Sequence, residues 1–268
     1  MNFSDIDFNR LFQDEKEDST FPRKTEGDWD AVAEKFNKGW VEPGHYVNNF
    51  IARMDLSACE SLLDVGCGSG ALAIPLAQKL KTVYCLDFSY KMLELLKQNA
   101  KAKKIDNLKT FKKEWKDSWE EIPEVDIVIA SRSTGPGCID MAKAMQKLNQ
   151  MAKKRVYLTY LVGGFFVDKT ILDYIGRKQK AHPDYIYVVN ILYQMGINAR
   201  VDFIEPDPKN RRKSETLEGF LSLLRWKLRN FTVSEEKKAT DYYNEFINQD
   251  LSRAPAGFHW AFISWEKR

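Results

Sequence analysis

The sequence predicts an α/β protein with a doubly wound, mostly parallel sheet of seven strands that helices cover on both faces. Two observations support this fold class. Short apolar runs alternate with segments of helical periodicity from residue 61 to residue 162, which is the pattern of βαβ units. Two long segments with helical spacing fall outside this alternation. They predict a helical N-terminal extension and a helical insertion before the last strand.

Seven apolar runs are the strand candidates. They cover residues 61–65, 82–87, 108–115, 126–131, 154–162, 199–205 and 258–266. Between the first five strands, apolar side chains spaced three and four apart predict helices over residues 71–80, 89–104 and 141–152. Pro75 is compatible with the first of these helices only near its first turn. Ser89 is the predicted N-cap of the second.

The two helical additions set the predicted domain boundaries. Residues 1–55 are expected to form the extension, and residues 56–268 the main domain with its insertion at about 206–256. Helical spacing within the extension relates Trp29, Val32, Ala33, Phe36 and Trp40. Two helices are predicted in the insertion, over residues 214–230 and 232–251. Thr232 and Glu235 predict a capping box at the start of the second helix.

The composition is that of a globular protein, and we expect it in the cytoplasm. Of the 268 residues, 44% are hydrophobic and 29% are charged, with a net charge of only +3. So small a charge does not by itself indicate a nucleic-acid partner. The four cysteines, which show no metal-binding or disulfide spacing, are Cys59, Cys67, Cys85 and Cys138. No metal site, signal peptide or membrane span is predicted.

The densest cluster of glycine follows the first predicted strand, in the sequence "LLDVGCGSG". Asp64 ends the strand, and Gly66, Gly68 and Gly70 then alternate with small residues before a helix begins. A strand, a glycine turn and a helix N-terminus together form a cradle for a nucleotide, because glycine allows close approach and the helix offers free N–H groups. A second acid, Asp87, ends the next strand.

This combination resembles the class I S-adenosylmethionine-dependent methyltransferases, from about Cys59 to the end of the chain. The resemblance implies a Rossmann-like fold with an antiparallel last strand, and S-adenosylmethionine as cofactor. It implies that the turn, Cys67 included, lies against the methionyl and ribose parts of the cofactor. Asp64 is then near the methionine ammonium, where a carboxylate is the natural partner. Asp87 would accept hydrogen bonds from the ribose hydroxyls, and Phe88 would lie on adenine.

The resemblance also directs attention to the segment after the third strand. The family usually places an acid there, close to the adenine amine. In this sequence either Glu114 or Trp115 occupies that place, and the sequence does not decide between them. Trp115 and Trp119 are equally compatible with a role in the core.

The cofactor sulfonium is expected to meet the acceptor at the end of the fourth strand, where Ser131 is a candidate for cofactor binding and Arg132 follows it. Arg132 is a candidate for binding an acceptor carboxylate or phosphate, although a surface salt bridge is an equal alternative. Trp29 and Tyr46 of the extension are further candidates. No catalytic residue is identified. The chain has neither a [DN]-P-P-[YFW] motif nor a Pro-Cys nucleophile, and in-line methyl transfer proceeds largely through positioning.

Several functions remain open at this point. A small organic acceptor is favoured, because aromatic helices flank the predicted crevice and are suited to close it. RNA is the alternative, on account of the basic segments "KNRRKSE" and "RWKLRN". An NAD-dependent oxidoreductase also fits the glycine pattern and Asp87. Two alternatives remain. The protein could bind the cofactor without catalysis, or the glycine turn could serve only to close a tight corner between the first strand and its helix. The oligomeric state is not indicated.

Overall fold

Seven strands form one sheet. The computed structural model describes residues 2–19, 24–38, 43–134, 138, 140–228 and 230–267, except for the side chains of Ser4, Phe36 and Lys38. The strands are β1 (Ser61–Val65), β2 (Thr82–Asp87), β3 (Leu108–Lys112), β4 (Val125–Ser131), β5 (Ala152–Leu161), β6 (Arg200–Ile204) and β7 (Trp260–Glu266). Their order across the sheet is β3-β2-β1-β4-β5-β7-β6.

The sheet is parallel except at β7, which runs antiparallel to both β5 and β6. The predicted fold class, with its antiparallel last strand, is therefore confirmed. The strand order reverses between β1 and β4. Strands β2 and β3 extend the sheet on one side of β1, and β4 and the later strands extend it on the other. In open α/β sheets, ligands bind beyond the carboxyl ends of the strands at such a reversal. The ends of β1, β2 and β4 therefore mark the expected crevice.

Ten α-helices are present in the described part of the chain. They are α1 (Phe8–Asp18), α2 (Glu26–Lys38), α3 (His45–Ala52), α4 (Ala73–Ala77), α5 (Tyr90–Ala102), α6 (Met141–Met151), α7 (Lys169–Ile175), α8 (Tyr185–Gln194), α9 (Leu217–Lys227) and α10 (Val233–Tyr242). None of these described helices is long and apolar enough to span a membrane. Ser89 caps α5 as predicted, and Thr232 and Glu235 form the capping box of α10.

Three expectations about these elements were wrong. The helix predicted over residues 71–80 is only the five-residue α4, with Pro75 at its third position, where the ring has no N–H to donate. The third strand ends at Lys112, so Glu114 and Trp115 lie in the following loop. The chain between β5 and β6 contains two helices, of which α7 was not predicted and α8 was indicated only by an expected helix start at His182.

Each face of the sheet has its own apolar core. One cluster contains Leu63, Val128 and Leu158 with side chains of α6 and α8. The other contains Leu62 and Ile129 with side chains of α3, α4 and α5. Alternate residues of one strand thus face opposite layers, as the pleat requires. The sheet is consequently held rigid from both sides, which fixes the positions of the loops at its carboxyl edge.

The N-terminal helices pack directly on this core. Phe12 of α1 and Phe50 of α3 are both fully buried. The Phe50 ring lies edge-on to the ring of Phe262 in β7, with 5.1 Å between the ring centroids. Helix α2 lies against α5 through Ala33, which is also buried. Trp40 lies outside the described residues. The division of the chain at residue 55 stays a prediction, and the extension shares its core with the sheet.

The insertion before β7 forms a third apolar cluster together with α7. Its members include Phe220, Leu224 and Tyr242 from the insertion and Ile171 and Ile175 from α7. Most of the aromatic side chains there pack on each other, for example Phe220 against Tyr242 at 6.3 Å. The segment after β5 and the segment before β7 therefore form one helical layer beside the sheet.

Replacing Phe50 tests whether α3 belongs to the main core. Phe50→Ala should lower the free energy of unfolding by about 3–5 kcal/mol, because it leaves a cavity against Phe262. Phe3→Ala is the matched control, since Phe3 is 44% exposed, and it should change stability by about 0.5 kcal/mol or less. Urea denaturation measures both. Equal stabilities for the two variants would show that α3 does not pack on the sheet in solution.

Candidate cofactor and acceptor site

The glycine turn is tied to the end of β2 by two hydrogen bonds. The N–H groups of Gly66 and Cys67 both donate to the carbonyl oxygen of Leu86, at 2.7 and 3.0 Å. Gly66, Gly68 and Gly70 all have positive φ, at 75°, 54° and 97°, which is the region that favours glycine. The turn thus needs glycine for its backbone path as well as for the space around it.

The three glycines differ in what surrounds them. A Cβ atom on Gly66 would lie 2.3 Å from the Cβ of Ser133, in the loop after β4, and one on Gly70 would lie 3.0 Å from Ile74. A Cβ on Gly68 would have no atom within 4 Å. Gly66 and Gly70 therefore serve close packing of the protein on itself. Gly68 alone faces open space, as a residue beside a ligand does.

Asp64 is a buried carboxyl group at the end of β1. It is 2% exposed, and among the described residues no hydrogen bond involves its side chain. Burial, and secondarily the nearby charge of Asp87, raise the pKa of Asp64 to about 8. A buried acid without a donor is costly to ionise. A cation placed beside it would remove that cost, so the position suits an ammonium group.

Asp87 ends β2 and is held by the backbone. One carboxylate oxygen accepts from the N–H of Gly68 at 2.8 Å, and the other accepts from the N–H of Ser89 at 2.9 Å. Burial raises the pKa of Asp87, while these N–H groups act in the opposite direction. Both oxygens keep a second lone pair. The carboxylate is therefore fixed in place and still able to accept two hydroxyl groups. Phe88, next in the chain, is half-buried.

The Cys67 side chain does not belong to the ligand side of the turn. It is buried in the apolar cluster below the sheet edge. Burial is the first cause that raises the pKa of its thiol well above the ordinary value, followed by contact with Cys85. Only the backbone of Cys67 is left to border a ligand.

Glu114 and Trp115 diverge from each other. The Glu114 carboxylate is exposed and lies 3.0 Å from the amine of Lys116. The indole N–H of Trp115 donates to the carbonyl oxygen of Ser133 at 3.0 Å, and Ser133 is the residue that borders Gly66. Trp115 thus connects β3 to the loop beside the glycine turn. Trp115, and not Glu114, is therefore tied to the loop beside the glycine turn, and which of the two borders adenine stays a prediction.

A tyrosine from the extension reaches the end of β4. The Tyr46 hydroxyl lies 2.8 Å from the Ser131 hydroxyl and 2.7 Å from the Thr159 hydroxyl of β5. Burial raises the pKa of Tyr46, although the Arg132 charge acts against this, so the phenol stays neutral. The structure therefore brings together Tyr46, a predicted acceptor-side residue, and Ser131, a predicted cofactor-side residue.

Arg132 joins this group from the next position. It has a positive φ of 55°, which is unusual for a residue with a side chain. Its guanidinium carbon lies 3.9 Å from the centroid of the Tyr46 ring and 6.0 Å from that of Trp260. No salt bridge of the described residues includes Arg132, so the surface salt bridge considered as an alternative is not formed there. Among the described residues, the rings of Tyr46 and Trp260 are what holds the guanidinium in position.

Trp29 lies elsewhere than the other candidates. It packs on Met92 and Leu95 of α5, and its ring is 5.9 Å from that of Trp226 in α9. This contact joins the N-terminal extension to the insertion. Trp29 therefore helps to assemble the layer around the crevice, and the structure gives no contact between it and Tyr46 or Arg132.

Helix α2 also contacts the cofactor side, which the sequence did not indicate. Asp30 accepts a hydrogen bond of 2.5 Å from the Ser89 hydroxyl. At the other end of α2, the Asn37 oxygen accepts from the amide of Asn99, which also donates to the carbonyl of Ser69 in the glycine turn. Helix α2 thus contacts Ser89 after β2 directly and is linked to the glycine turn after β1 through Asn99 of α5. Polar pairs so far apart in sequence leave no local signal.

An aromatic wall borders the acceptor side. Trp260 begins β7 beside the end of β5, and its ring lies 6.3 Å from Tyr46 and 5.9 Å from Phe258. Phe258 in turn meets Phe166 at 5.5 Å. His182, expected at a helix start, instead lies buried beside Phe166, and Asp184 caps α8. The described residues include no group of acids, cysteines and histidines that would hold a metal.

Comparison with known proteins agrees with this geometry. A family model described as a methyltransferase domain matches residues 56–163. An uncharacterized protein of Haemophilus influenzae is 34% identical over 268 residues, which is 99% of this chain and 98% of that protein.

Two solved structures share the fold. The [4+2]-cyclase SpnF has a TM-score of 0.58 at 14% identity, with 93% of this chain and 98% of that one covered. The second is a phosphoethanolamine N-methyltransferase of Haemonchus contortus, in complex with phosphomonomethylethanolamine and S-adenosylhomocysteine. It has a TM-score of 0.56 at 17% identity, with 98% of this chain and 60% of that one covered.

The strand order is that of a Rossmann-like fold, and the domain matched at residues 56–163 is that of a methyltransferase. The chain belongs to the class I S-adenosylmethionine-dependent methyltransferases, and S-adenosylmethionine is the cofactor of that family.

The protonation of Asp64 should be linked to cofactor binding. With its pKa raised to about 8, Asp64 is protonated in the free protein at pH 6–7 and must ionise to bind an ammonium group. Binding of S-adenosylhomocysteine should then release close to one proton per site. Calorimetry in buffers of different ionisation enthalpy measures this number. Asp64→Asn should bind more weakly and release none. Wild-type binding without proton release would contradict the assignment.

The same raised pKa affects stability. Relative to an unfolded aspartate, the free folded protein retains this proton up to about pH 8. The contribution of Asp64 to stability is therefore full at low pH and is lost as the pH rises towards and through 8. Asp64→Asn should accordingly unfold at a higher temperature than the wild type at pH 8.5, and this advantage should shrink at pH 5.

Alanine at each glycine should separate packing from ligand binding. Gly66→Ala should lower the free energy of unfolding by about 2 kcal/mol or more, from left-handed strain and the contact with Ser133. Gly68→Ala should cost about 1–2 kcal/mol through strain alone, yet weaken S-adenosylhomocysteine binding at least about tenfold. The control is Gly196→Ala, at φ 77° with no atom within 4 Å of its Cβ. If Gly68→Ala binds as well as the control variant, the ligand does not border Gly68.

Proposed function

We propose that the protein transfers a methyl group from S-adenosylmethionine to a small organic acceptor at the crevice beside Ser131, Arg132 and Tyr46. The single observation that carries this proposal is Arg132, a guanidinium without an acidic partner among the described residues. It stacks on Tyr46 at the carboxyl end of β4. An unpaired cation on an aromatic surface is a suitable anchor for a carboxylate or phosphate of a small molecule.

The cofactor-binding residues follow from the same proposal. When bound, S-adenosylmethionine supplies an electrophilic methyl group on a sulfonium. Asp64 binds the ammonium of its methionyl part, and Asp87 accepts from the ribose hydroxyls. Gly68 allows close approach, and Phe88 and Trp115 border adenine. The assignments of Asp64, Asp87 and Gly68 fit the carboxyl groups and the open space described above, and a substitution at each of these three positions tests them.

The acceptor-side residues act mainly by position. Arg132 fixes the orientation of the acceptor, and the rings of Tyr46 and Trp260 keep water from the crevice. Because the Tyr46 hydroxyl already contacts Ser131 and Thr159, it holds the ends of β4 and β5 in register and is a positioning residue. No general base is required for an in-line attack on an activated methyl group once the two reactants are aligned.

RNA is the less favoured acceptor, because two arginines of the basic segments are already engaged within the protein. Arg225 forms ion pairs with Glu218 at 2.9 Å and with Glu236 at 2.7 Å. Arg211 donates to the carbonyl of Ser252 at 3.0 Å. Charges engaged in this way are less available to phosphates, which dominate the affinity for nucleic acid.

Other functions stay as alternatives to be tested. The shared fold of the [4+2]-cyclase SpnF means that the architecture alone does not fix the reaction. A cofactor-binding protein without transfer activity would have the same glycine turn and acids. An NAD-dependent oxidoreductase is less favoured, since the buried Asp64 has no role in binding a pyrophosphate.

Calorimetry and an acceptor screen test the proposal. S-adenosylhomocysteine should bind with a free energy of roughly −8 kcal/mol, corresponding to a micromolar constant, and NAD should not bind. Asp87→Ala should weaken this binding by about 1.5–3 kcal/mol. Binding of NAD alone would overturn the methyltransferase assignment.

Charge variants separate the two acceptor classes. Once an acceptor is found with labelled S-adenosylmethionine, Arg132→Met should raise its KM at least about tenfold. The double variant Arg211→Glu with Arg212→Glu should leave turnover unchanged. If RNA is the acceptor, its affinity should fall steeply with salt, by about 0.7–0.9 log units per tenfold rise in salt for each phosphate contacted. A slope of this kind that the double variant abolishes would establish RNA as the acceptor.

A further inference from the structure

A second cation occupies the far end of the aromatic wall. Lys227, the last residue of α9, places its amine 4.0 Å from the centroid of the Phe258 ring. Phe258 contacts Trp260, and Trp260 lies under the guanidinium of Arg132. Two cations therefore flank one continuous row of rings. Arg132 lies next to the end of β4, and Lys227 lies on the other side of Phe258.

Lys227 has no acidic partner in the described part of the chain. The acids of the neighbouring elements are engaged elsewhere. Glu218 of α9 and Glu236 of α10 bind Arg225, and Glu205 lies 3.0 Å from His259, the residue after Phe258. The charge of Lys213, in the 3₁₀ segment Pro208–Ser214, repels a second cation. The amine of Lys24 lies over the ring of Trp226. A partly buried ammonium in such surroundings is costly to keep charged unless an anion compensates it.

We propose that Lys227 binds an oxyanion of the acceptor, a carboxylate or a phosphate, at a position remote from the atom that is methylated. The apolar body of the acceptor lies against the side chains of Phe258 and Trp260, whose rings meet edge to face at 79°. This inference rests on the proposed function and names the class of acceptor, an apolar organic oxyanion. Binding energy from such a remote group orients the reacting end of the acceptor.

The protonation state of Lys227 gives the proposal a pH signature. Burial, with the charge of Lys213, lowers the pKa of Lys227 to about 7. In the free protein the amine is charged below this pH and mostly neutral above it. A bound oxyanion favours the charged form and raises the pKa again. The affinity for an oxyanion should therefore fall as the pH rises above 7, by about tenfold per pH unit until the pKa of the bound state is reached.

The first test uses two matched probes on protein saturated with S-adenosylhomocysteine. 2-Naphthoate carries a carboxylate on a flat ring system, and 2-naphthamide is its neutral counterpart. At pH 6, calorimetry should show naphthoate binding at least tenfold more tightly than naphthamide. In Lys227→Met this preference should fall to what Arg132 alone supplies. Lys237→Met, at an exposed position of α10, is the control and should keep it. Equal binding of the two probes to the wild type, or an unchanged preference in Lys227→Met, would overturn the proposal.

The second test follows the amine itself. NMR titration of protein labelled with ¹⁵N-lysine, with the signal assigned by its absence from Lys227→Met, should show a pKa near 7 that rises by at least one unit with naphthoate. An ordinary lysine pKa, unchanged by the probe, would contradict the proposal. Phenyl phosphate compared with naphthoate then distinguishes a phosphate from a carboxylate as the preferred group.

Failure of this inference is separable from failure of the proposed function. Binding of S-adenosylhomocysteine to the wild type and to Lys227→Met with equal affinity shows that the variant is folded and that the cofactor site is intact. A second outcome is a protein that fails to bind S-adenosylhomocysteine and yet prefers naphthoate in a way that depends on Lys227. That result would support the anion site and contradict the methyltransferase function. Cofactor binding without any naphthoate preference would remove only the anion site.

Discussion

The site depends on one carbonyl group. The oxygen of Leu86, the residue before Asp87, accepts the N–H groups of both Gly66 and Cys67. These two bonds fold the chain after β1 back over the end of β2, although the two strands belong to separate units of the sequence. As a result two buried carboxyl groups, Asp64 and Asp87, border one turn. Their mutual repulsion, added to burial, is compensated when a ligand brings a cation and two hydroxyl groups.

Local signals predicted the central part of the structure well. The bounds of β1 and β2, the cap of α5 and the capping box of α10 all follow from contacts within a few residues of each other. The turn was recognisable for the same reason. Helix α8 was not, because its sequence "YIYVVNILYQ" is apolar nearly throughout and rich in β-branched and aromatic residues. Such a run does not distinguish a strand from a buried helix.

The acceptor side was much less predictable, because its residues come from distant parts of the chain. Arg132 was a candidate by position after β4, but its stacking on Tyr46 joins residues 86 positions apart in sequence. Lys227 had appeared only as part of a basic segment, where its neighbour Arg225 binds two glutamates. Whether a charged residue is paired is decided by tertiary packing, and periodicity does not report it.

Helix α2 has a consequence for how the two halves of the crevice communicate. Asp30 of this helix binds Ser89 after β2, and Asn37 is linked to the glycine turn through Asn99 of α5, while Trp29 packs on the helix that carries Lys227. A ligand that orders α2 from one side therefore lowers the entropic cost of ordering it from the other. Thermodynamic reciprocity requires this effect to be equal in both directions. Cofactor and acceptor would then bind cooperatively through α2 without touching each other. The order in which they bind would affect the rates of binding but not the total binding free energy.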